Sequence, residues 1–327
     1  MHDPVEVARV RSAIGIARGP FTVFNRGVSL DELRTLIARH VDRPTAAVDG
    51  LMLSAEYRPT PPRAGVADPV LALVAQGAKR IVLGDRVYDY RAGQYLVVPL
   101  DLPVTGHVTE ASPERPELGA GLALRPAAIA SLLLETDAAP AGRAPSPALA
   151  VSDASADLVD AFVRMIRLLD RPADIPVLAP MLEREILWRL INGEQGTLVR
   201  QIGLADSRLT QIGRALRWIR DHYTDVLRVE DLARMSGMSL SPFHRHFRAL
   251  TAMTPVQYQK QIRLQEARLR LMSSTEDVAT VGFAVGYDSA SQFSREYRRH
   301  FGLPPGRDAA RLRTEPPRRA GAAARLA

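Results

Sequence analysis

Seven side chains in the C-terminal third of this sequence have the types and spacing to hydrogen-bond nucleobase edges. Ser241, His244 and Arg245 form one set, and Ser291, Gln292, Ser294 and Arg295 form the other. An arginine can donate two parallel bonds to guanine O6 and N7, and a glutamine amide offers the donor–acceptor pair that suits adenine. Serine and histidine can reach base edges near the N-terminal end of a helix. Around these residues Arg248, Lys260, Arg263, Arg298 and Arg299 carry positive charge suited to phosphates, which position a protein on a duplex without reading its sequence. Any one exposed arginine is equally well a solvated face. A set repeated at matched positions is much harder to explain that way.

The elements that must carry these residues are also repeated. Ser239, Ser241, Phe243, Arg245, Phe247, Arg248 and Pro255 recur fifty residues later as Ser289, Ser291, Phe293, Arg295, Tyr297, Arg298 and Pro305. Each copy reads as a short helix opened by a serine, with aromatics at i and i+4 facing inward and basic and small polar residues facing outward. A short apolar helix pattern and a glycine turn, Gly237-Met238 or Gly286-Tyr287, precede each copy. Helix, tight turn and basic helix together form the arrangement that places side chains in a DNA major groove. Between the copies, Thr254-Pro255-Val256-Gln257 combines a threonine cap, a proline at the first helical position and a glutamine at the third. The helix it opens can run to about Met272, roughly 27 Å at 1.5 Å per residue. Successive major-groove visits on one face of B-DNA lie about 34 Å apart. Upstream, Ser207 can cap a helix with Leu209, Ile212, Leu216 and Ile219 on one side.

Charge divides along the same line. Residues 1–206 sum to −3 and residues 207–327 to +10, so the net +7 belongs to the half with the repeat. A neutral module beside a phosphate-binding module has this signature. The absence of cysteine excludes disulfides, thiolate catalysis and cysteine metal sites. The polar start, Met1-His2-Asp3-Pro4, is unlike a signal peptide, and no apolar run approaches the ~20 residues of a membrane span, so a cytoplasmic protein is expected. His244 and His246 point in different directions on a helix, and His2, His40 and His107 are scattered, so no metal site is expected. Ser54 and Ser112 lack a Gly-x-Ser-x-Gly context. The reading assigns no catalytic residue and no cofactor.

The N-terminal half begins with a helix predicted over Ser29–His40, with Ser29 and Glu32 as a capping box and Leu30, Leu33, Leu36 and Ile37 on one face. Short β-like runs follow: Val70–Gln76, Arg80–Leu83, Arg86–Tyr90, Tyr95–Pro99 and Val104–Thr109. Gly77-Ala78 and Gly84-Asp85 suit tight hairpins. Many short strands in a small space point to a small barrel or sandwich. Residues 138–148 read as a loop. Two helices then follow, one striped by Leu158, Phe162, Met165, Ile166 and Leu169, the other running from about Val177 to Ile191 and stopping at Asn192-Gly193. These stripes fit either packing on their own barrel or a homodimer interface.

With both repeat units placed, the C-terminal half resembles the AraC/XylS family of transcriptional regulators. The resemblance covers roughly 207–308 and rests on Asp231-Leu232-Ala233, Gly237-Met238-Ser239, Phe243-His244-Arg245-His246-Phe247, Gly286-Tyr287-Asp288-Ser289, Ser291-Gln292-Phe293-Ser294-Arg295 and Phe301-Gly302-Leu303-Pro304-Pro305. It implies two helix-turn-helix units joined by a linker helix, with recognition helices at about 240–251 and 290–301. Two residues depart from the pattern: Ala252 stands where a glycine is usual, and Gly282 where an alanine is usual. The N-terminal half is similar to the cupin-like sensor domain of one branch of that family, through Leu73–Arg80, Tyr95–Pro99, Asp101–Val104 and Glu110–Pro116.

The expected fold class is therefore α+β: an N-terminal small cupin-like β-barrel with flanking helices, then an all-α double helix-turn-helix domain. The expected divisions are a sensor barrel with an N-terminal helix over 1–140, a helical pair over 141–193, a linker over 194–206, a DNA-binding domain over 207–308 and a disordered tail over 309–327. The function implied is sequence-specific regulation of transcription on double-stranded DNA, under a small-molecule effector whose pocket is left unassigned. A homodimer and contact with RNA polymerase are further expectations. The competing readings are a barrel with enzymatic activity, or one that binds another protein.

Overall fold

The computed structural model describes residues 26–42, 47–136, 149–204, 207–273 and 276–314. The polar N-terminal start, the loop expected at 138–148 and the last part of the expected tail lie outside the described residues.

Among the described residues nine strands form two antiparallel sheets. They are β1 (Leu51–Glu56), β2 (Arg63–Ala67), β3 (Val70–Gln76), β4 (Ala78–Leu83), β5 (Arg86–Arg91), β6 (Gln94–Val98), β7 (Leu102–Glu110), β8 (Glu117–Ala123) and β9 (Ala150–Asp153). One sheet has the order β1-β8-β3-β6-β9 and the other β2-β7-β4-β5. The strand runs fall where the alternation places them, but the sheets face each other without closing, so the expected barrel is an open sandwich. Gly84-Asp85 does make a hairpin, with Leu83 paired to Arg86. Gly77-Ala78 does not, because it carries the chain from β3 in one sheet to β4 in the other. A Cβ at Gly77 would lie 2.4 Å from the Glu110 carbonyl oxygen, which is why the crossing needs glycine. Register shifts on either side of it, at Val74/Gln76 and at Ala78/Lys79, absorb the bend.

Strand β3 lies at the centre of the five-stranded sheet and is buried from Val70 to Ala75. Covering both faces of a strand demands such a continuous apolar run. Helix α1 (Arg26–His40) lays Leu33, Leu36 and Ile37 against this core. It begins three residues before the predicted start, so Ser29 lies inside the helix and is not its cap. Helix α2 (Pro126–Glu135) follows β8. Helix α3 (Ala156–Arg167) is capped by Ser155, whose hydroxyl accepts from Leu158 N, and buries Leu158, Phe162, Met165 and Ile166. Helix α4 (Ile175–Ile191) stops at Asn192, as its C-terminal signal indicates.

Beyond α4 the structure departs from the predicted boundaries. The expected linker contains α5 (Gly196–Gly203), with Leu198, Val199 and Ile202 buried. It packs on α2 so closely that a Cβ at Gly203 would lie 2.7 Å from Ile129 Cγ2. The expected tail begins inside another helix, α12 (Pro305–Thr314), where Asp308 is fully buried and accepts from Tyr297 Oη at 2.9 Å and Arg268 Nε at 2.9 Å. In both places short apolar and charged segments read as connectors, because their partners are remote in the chain.

The C-terminal half consists of α6 (Arg208–Asp221), α7 (Val229–Met235), α8 (Leu240–Thr251), the 19-residue α9 (Pro255–Ser273), α10 (Val278–Ala284), α11 (Ala290–Phe301) and α12. Its first unit is continuous with the core of the sandwich: Phe243, Phe247, Tyr258 and Ile262 belong to the same buried cluster as Leu71 and Leu96. The second unit has its own core around Val281, Val285, Phe293 and Tyr297.

Both departures from the family pattern have a physical context. Ala252 is left-handed at φ 58, the only non-glycine residue with positive φ among the described residues. Its methyl group meets the β4–β5 hairpin, where a Cβ added to Gly84 would be 2.7 Å away. Gly282 packs under Phe293, and a Cβ there would lie 2.9 Å from Phe293 Cδ1. Gly282→Ala should therefore lower stability by about 1–3 kcal/mol through overpacking, in spite of the ~1 kcal/mol that helix propensity favours alanine. Urea midpoints measure the difference, and a stabilised variant would show that the ring yields.

Candidate nucleic-acid interface

The two units close their turns with the same hydrogen bonds. In the first, Gly237 N donates to Arg234 O at 2.9 Å and Met238 N to Ala233 O at 2.9 Å. In the second, Gly286 N donates to Phe283 O at 2.9 Å and Tyr287 N to Gly282 O at 3.1 Å. Gly237 has φ 66 and Gly286 φ 92, a conformation that costs glycine nothing. The recognition helices that follow, α8 and α11, have the predicted boundaries. Ser289 Oγ accepts from Gln292 N at 3.4 Å, whereas Ser239 makes no side-chain cap bond.

Aromatic burial sets the rotation of each helix. Phe243 and Phe247 are fully buried with ring centroids 5.5 Å apart, and Phe247 meets Tyr258 of α9 edge-on at 5.9 Å. Phe293 and Tyr297 repeat the pair at 5.6 Å, with Tyr287 against Phe293 at 5.3 Å. With these side chains inside, Ser241, His244, Arg245 and Arg248 are exposed on α8, and Ser291, Gln292, Arg295, Arg298 and Arg299 on α11. Ser294 is half-buried. His246 is half-buried as well, and burial followed by the Arg208 and Arg245 charges pushes its imidazole below the usual range, which keeps it neutral near pH 7.

Helix α9 joins the two units. The capping box at its start forms as predicted: Thr254 N donates to Gln257 Oε1 at 2.9 Å, and Gln257 N to Thr254 Oγ1 at 3.3 Å. Two cations of the predicted phosphate set lie on this helix and are engaged internally. Lys260 Nζ donates to Glu296 Oε1 at 2.8 Å. Tyr287 Oη donates to Glu296 Oε2 at 2.9 Å, and Gln292 Nε2 approaches Oε1 at 3.5 Å. Burial works to raise the Glu296 carboxyl, yet Lys260, Tyr287 and Gln292 together hold it below the usual carboxylate range. Arg263 donates through Nε, Nη1 and Nη2 to main-chain carbonyls. The structure thus separates the predicted cations into an outward set on the recognition helices and an inward pair on α9. Sequence spacing alone does not reveal the inward pair, since the acceptors of Arg263 lie 23 to 40 residues away.

The sandwich also touches the first unit through polar groups that sequence inspection missed. Arg220 Nη1 lies 3.1 Å from Asp68 Oδ1 and 3.5 Å from Asp101 Oδ2, and Tyr258 Oη donates to Asp101 O at 2.8 Å. A cleft of about 460 Å³ opens between Gly84-Asp85 of the hairpin and Arg248, Lys260, Glu296 and Arg299.

Inside the sandwich sits a second unpredicted group. Lys79 Nζ lies 3.3 Å from Glu117 Oε1 and donates to Ser54 Oγ at 3.3 Å, all three residues being buried. Apart from that ion pair, the Glu117 oxygens and the buried Tyr90 hydroxyl make no hydrogen bond among the described residues. Burial pushes the Glu117 carboxyl up, against the opposing pull of Lys79. Among the described residues no group of three or more His, Asp or Glu is placed to hold a metal ion, and no helix is long and apolar enough to cross a membrane.

Two family profiles match the chain. One is described as the AraC-type transcriptional regulator N-terminus and covers residues 47–198; the other is a helix-turn-helix domain and covers residues 232–311. The transcriptional activator RhaS of Klebsiella pneumoniae strain 342 is 33% identical over 133 residues, which is 38% of this chain and 47% of RhaS. RhaS of Citrobacter koseri is 32% identical over 143 residues, 42% of this chain and 49% of its own. The chain thus spans about half the length of the curated relatives it matches. An apo variant of ToxT from Vibrio cholerae strain SCE256 shares the fold, with a TM-score of 0.53 at 9% identity over 80% of this chain and 98% of ToxT.

The buried pair in the sandwich has a pH signature. Lys79→Met leaves Glu117 alone in an apolar interior, at a cost of about 3–5 kcal/mol while it is ionised. Its folded-state pKa then lies above the unfolded value of about 4.3. The stability gained from the bound proton is complete below the unfolded value and lost as pH rises through the folded one. The variant should therefore be weakest in alkali and approach wild type on acidification, as urea midpoints across a pH series would record. A loss that does not change with pH would assign Lys79 a packing role only.

Proposed function

The chain belongs to the AraC/XylS family of transcriptional regulators, and from that premise we propose that it reads two adjacent major-groove segments of one operator with unlike helices. Ser241, His244 and Arg245 contact bases in one segment, and Ser291, Gln292, Ser294 and Arg295 contact bases in the other. Arg248, Arg298 and Arg299 bind phosphates. Lys260, already paired with Glu296, adds a weaker phosphate contact from α9. The observation that carries this reading is the duplicated hydrogen-bonded turn with an outward basic face, mounted at both ends of one helix. That helix is about 28 Å long at 1.5 Å per residue, close to the ~34 Å between groove visits on one side of the duplex.

Regulation is assigned to the N-terminal sandwich, acting in the cytoplasm by binding an effector and not by turning it over. Glu117 and Tyr90 are its proposed polar contacts, with Lys79 and Ser54 beside them, because the Glu117 oxygens and the Tyr90 hydroxyl lack hydrogen bonds among the described residues and buried groups left so cost free energy until something satisfies them. The Arg220–Asp68–Asp101 contact and the Tyr258 bond offer a route from the sandwich to the first helix-turn-helix unit. Val177, Met181 and Trp188, exposed along α4, are the proposed face for a second copy of the chain.

Site selection from random duplexes, followed by substitution, tests the DNA reading. Arg245→Ala and Arg295→Ala should each weaken binding to the selected site by about 1–3 kcal/mol and relax preference at one base pair. Equal loss on selected and random DNA would reduce both residues to phosphate contacts. Affinity should also fall steeply with salt, by about 0.9 in log–log slope for each phosphate neutralised. A flat salt response would contradict the electrostatic part of the reading.

A further inference from the structure

Arg263 is a cation on the DNA-binding half, yet it points into the protein. Nε donates to Tyr223 O at 2.6 Å, and Nη2 to Thr224 O at 3.2 Å and Asp225 O at 3.1 Å. All three carbonyls belong to the turn between α6 and α7, in the first unit. Nη1 donates to Gly286 O at 2.6 Å, in the turn between α10 and α11 of the second unit. One turn earlier on α9, Gln259 Nε2 donates to Tyr223 O at 3.1 Å and Asp225 O at 2.8 Å. The two turns approach so closely around this point that a Cβ on Gly286 would lie 2.8 Å from Thr224 O and 2.9 Å from Arg263 Cζ.

Other contacts between the units run through α9: Lys260 reaches Glu296 of α11, and Arg270 Nη2 donates to Tyr223 Oη at 3.3 Å. Their buried cores are separate clusters, and among the described residues Tyr223 alone is packed against both. The continuous α9 fixes the distance along its own axis but leaves twist and lean to side contacts. A planar guanidinium fanning into four carbonyls sets both, because its donors lie in one rigid plane.

We infer that Arg263 is a positioning residue that fixes the relative setting of the two recognition helices, and through it the spacing between DNA segments that the chain accepts. The inference rests on the proposed reading of two major-groove segments. A lysine there keeps the charge but has a compact ammonium in place of the planar fork.

The test uses the full chain and a duplex chosen by site selection, in which one base pair is then inserted or deleted between the two contacted segments. Wild type should lose at least about tenfold in affinity on either change, since one pair shifts a segment by ~3.4 Å along the axis. Arg263→Lys should bind the parent duplex more weakly and show a spacing penalty below about threefold, with the salt slope unchanged because no phosphate contact has gone. Gln259→Leu, which alters no charge, should move the spacing penalty in the same direction and covers the case in which the arginine variant fails to fold. A spacing penalty like that of wild type in both variants overturns the inference. So does a salt slope that falls by about 0.9 in Arg263→Ala with the spacing penalty intact, which would make Arg263 a phosphate contact. If wild type selects no duplex at all, the proposed DNA reading itself fails, and that outcome is distinct from the others.

Discussion

Everything on the helix-turn-helix half depends on burying two aromatics at i and i+4 beneath each basic helix. Phe243 with Phe247, and Phe293 with Tyr297, are fully buried, so each helix can sit in only one rotation. A 3.6-residue period then leaves the arginines and small polar residues no direction but outward. Burial of rings this size outweighs any preference of the charged face. The basic surface is therefore a consequence of the core and needs no separate device to create it. The same constraint explains the glycine at 282, since the Phe293 ring occupies the space a methyl group would need.

The two units are alike in local design and unlike in how they are held. The first shares its core with the N-terminal sandwich, and its helices are further tied by Arg220 and Tyr258 to loops around Asp68 and Asp101. The second has a small core of its own and reaches the rest through α9 and the carbonyl cluster at Arg263. An event in the sandwich therefore acts directly on the first unit and reaches the second through α9 and that cluster. Ala252 sits on the same path: its left-handed conformation places a methyl group against the β4–β5 hairpin, where the family's usual glycine would offer none.

How much was legible in the sequence varied with the range of the interaction. The recognition helices, the capping box at Thr254 and the stripe of α3 follow from periodicity and caps within a few residues, and all three match the structure closely. Gly77-Ala78 looked like a hairpin because a glycine break between strands reads the same whether the strands pair or part. The open sandwich in place of a barrel has the same origin, since alternation shows which residues face inward but not which edges meet. Residues 196–203 and 309–314 read as connector and tail, and become helices because Ile129 and the Tyr297–Arg268 pair give their faces something to cover.

Sequence by itself determined the local frame: the helices marked by caps and apolar stripes, which of their faces turn inward, and that a basic repeat stands at both ends of a capped helix. These follow from propensity, period and capping, which act over one or two turns. Tertiary structure alone decided how the cations divide. Arg245, Arg248, Arg295, Arg298 and Arg299 remain exposed, while Lys260 is engaged by Glu296 and Arg263 by carbonyls of both units. It also decided that Lys79 and Glu117, remote from each other in the chain, meet inside the sandwich. An arginine's character is fixed by its charge, but its task is set by whichever acceptors the fold brings within about 3 Å, and those acceptors are distant in sequence.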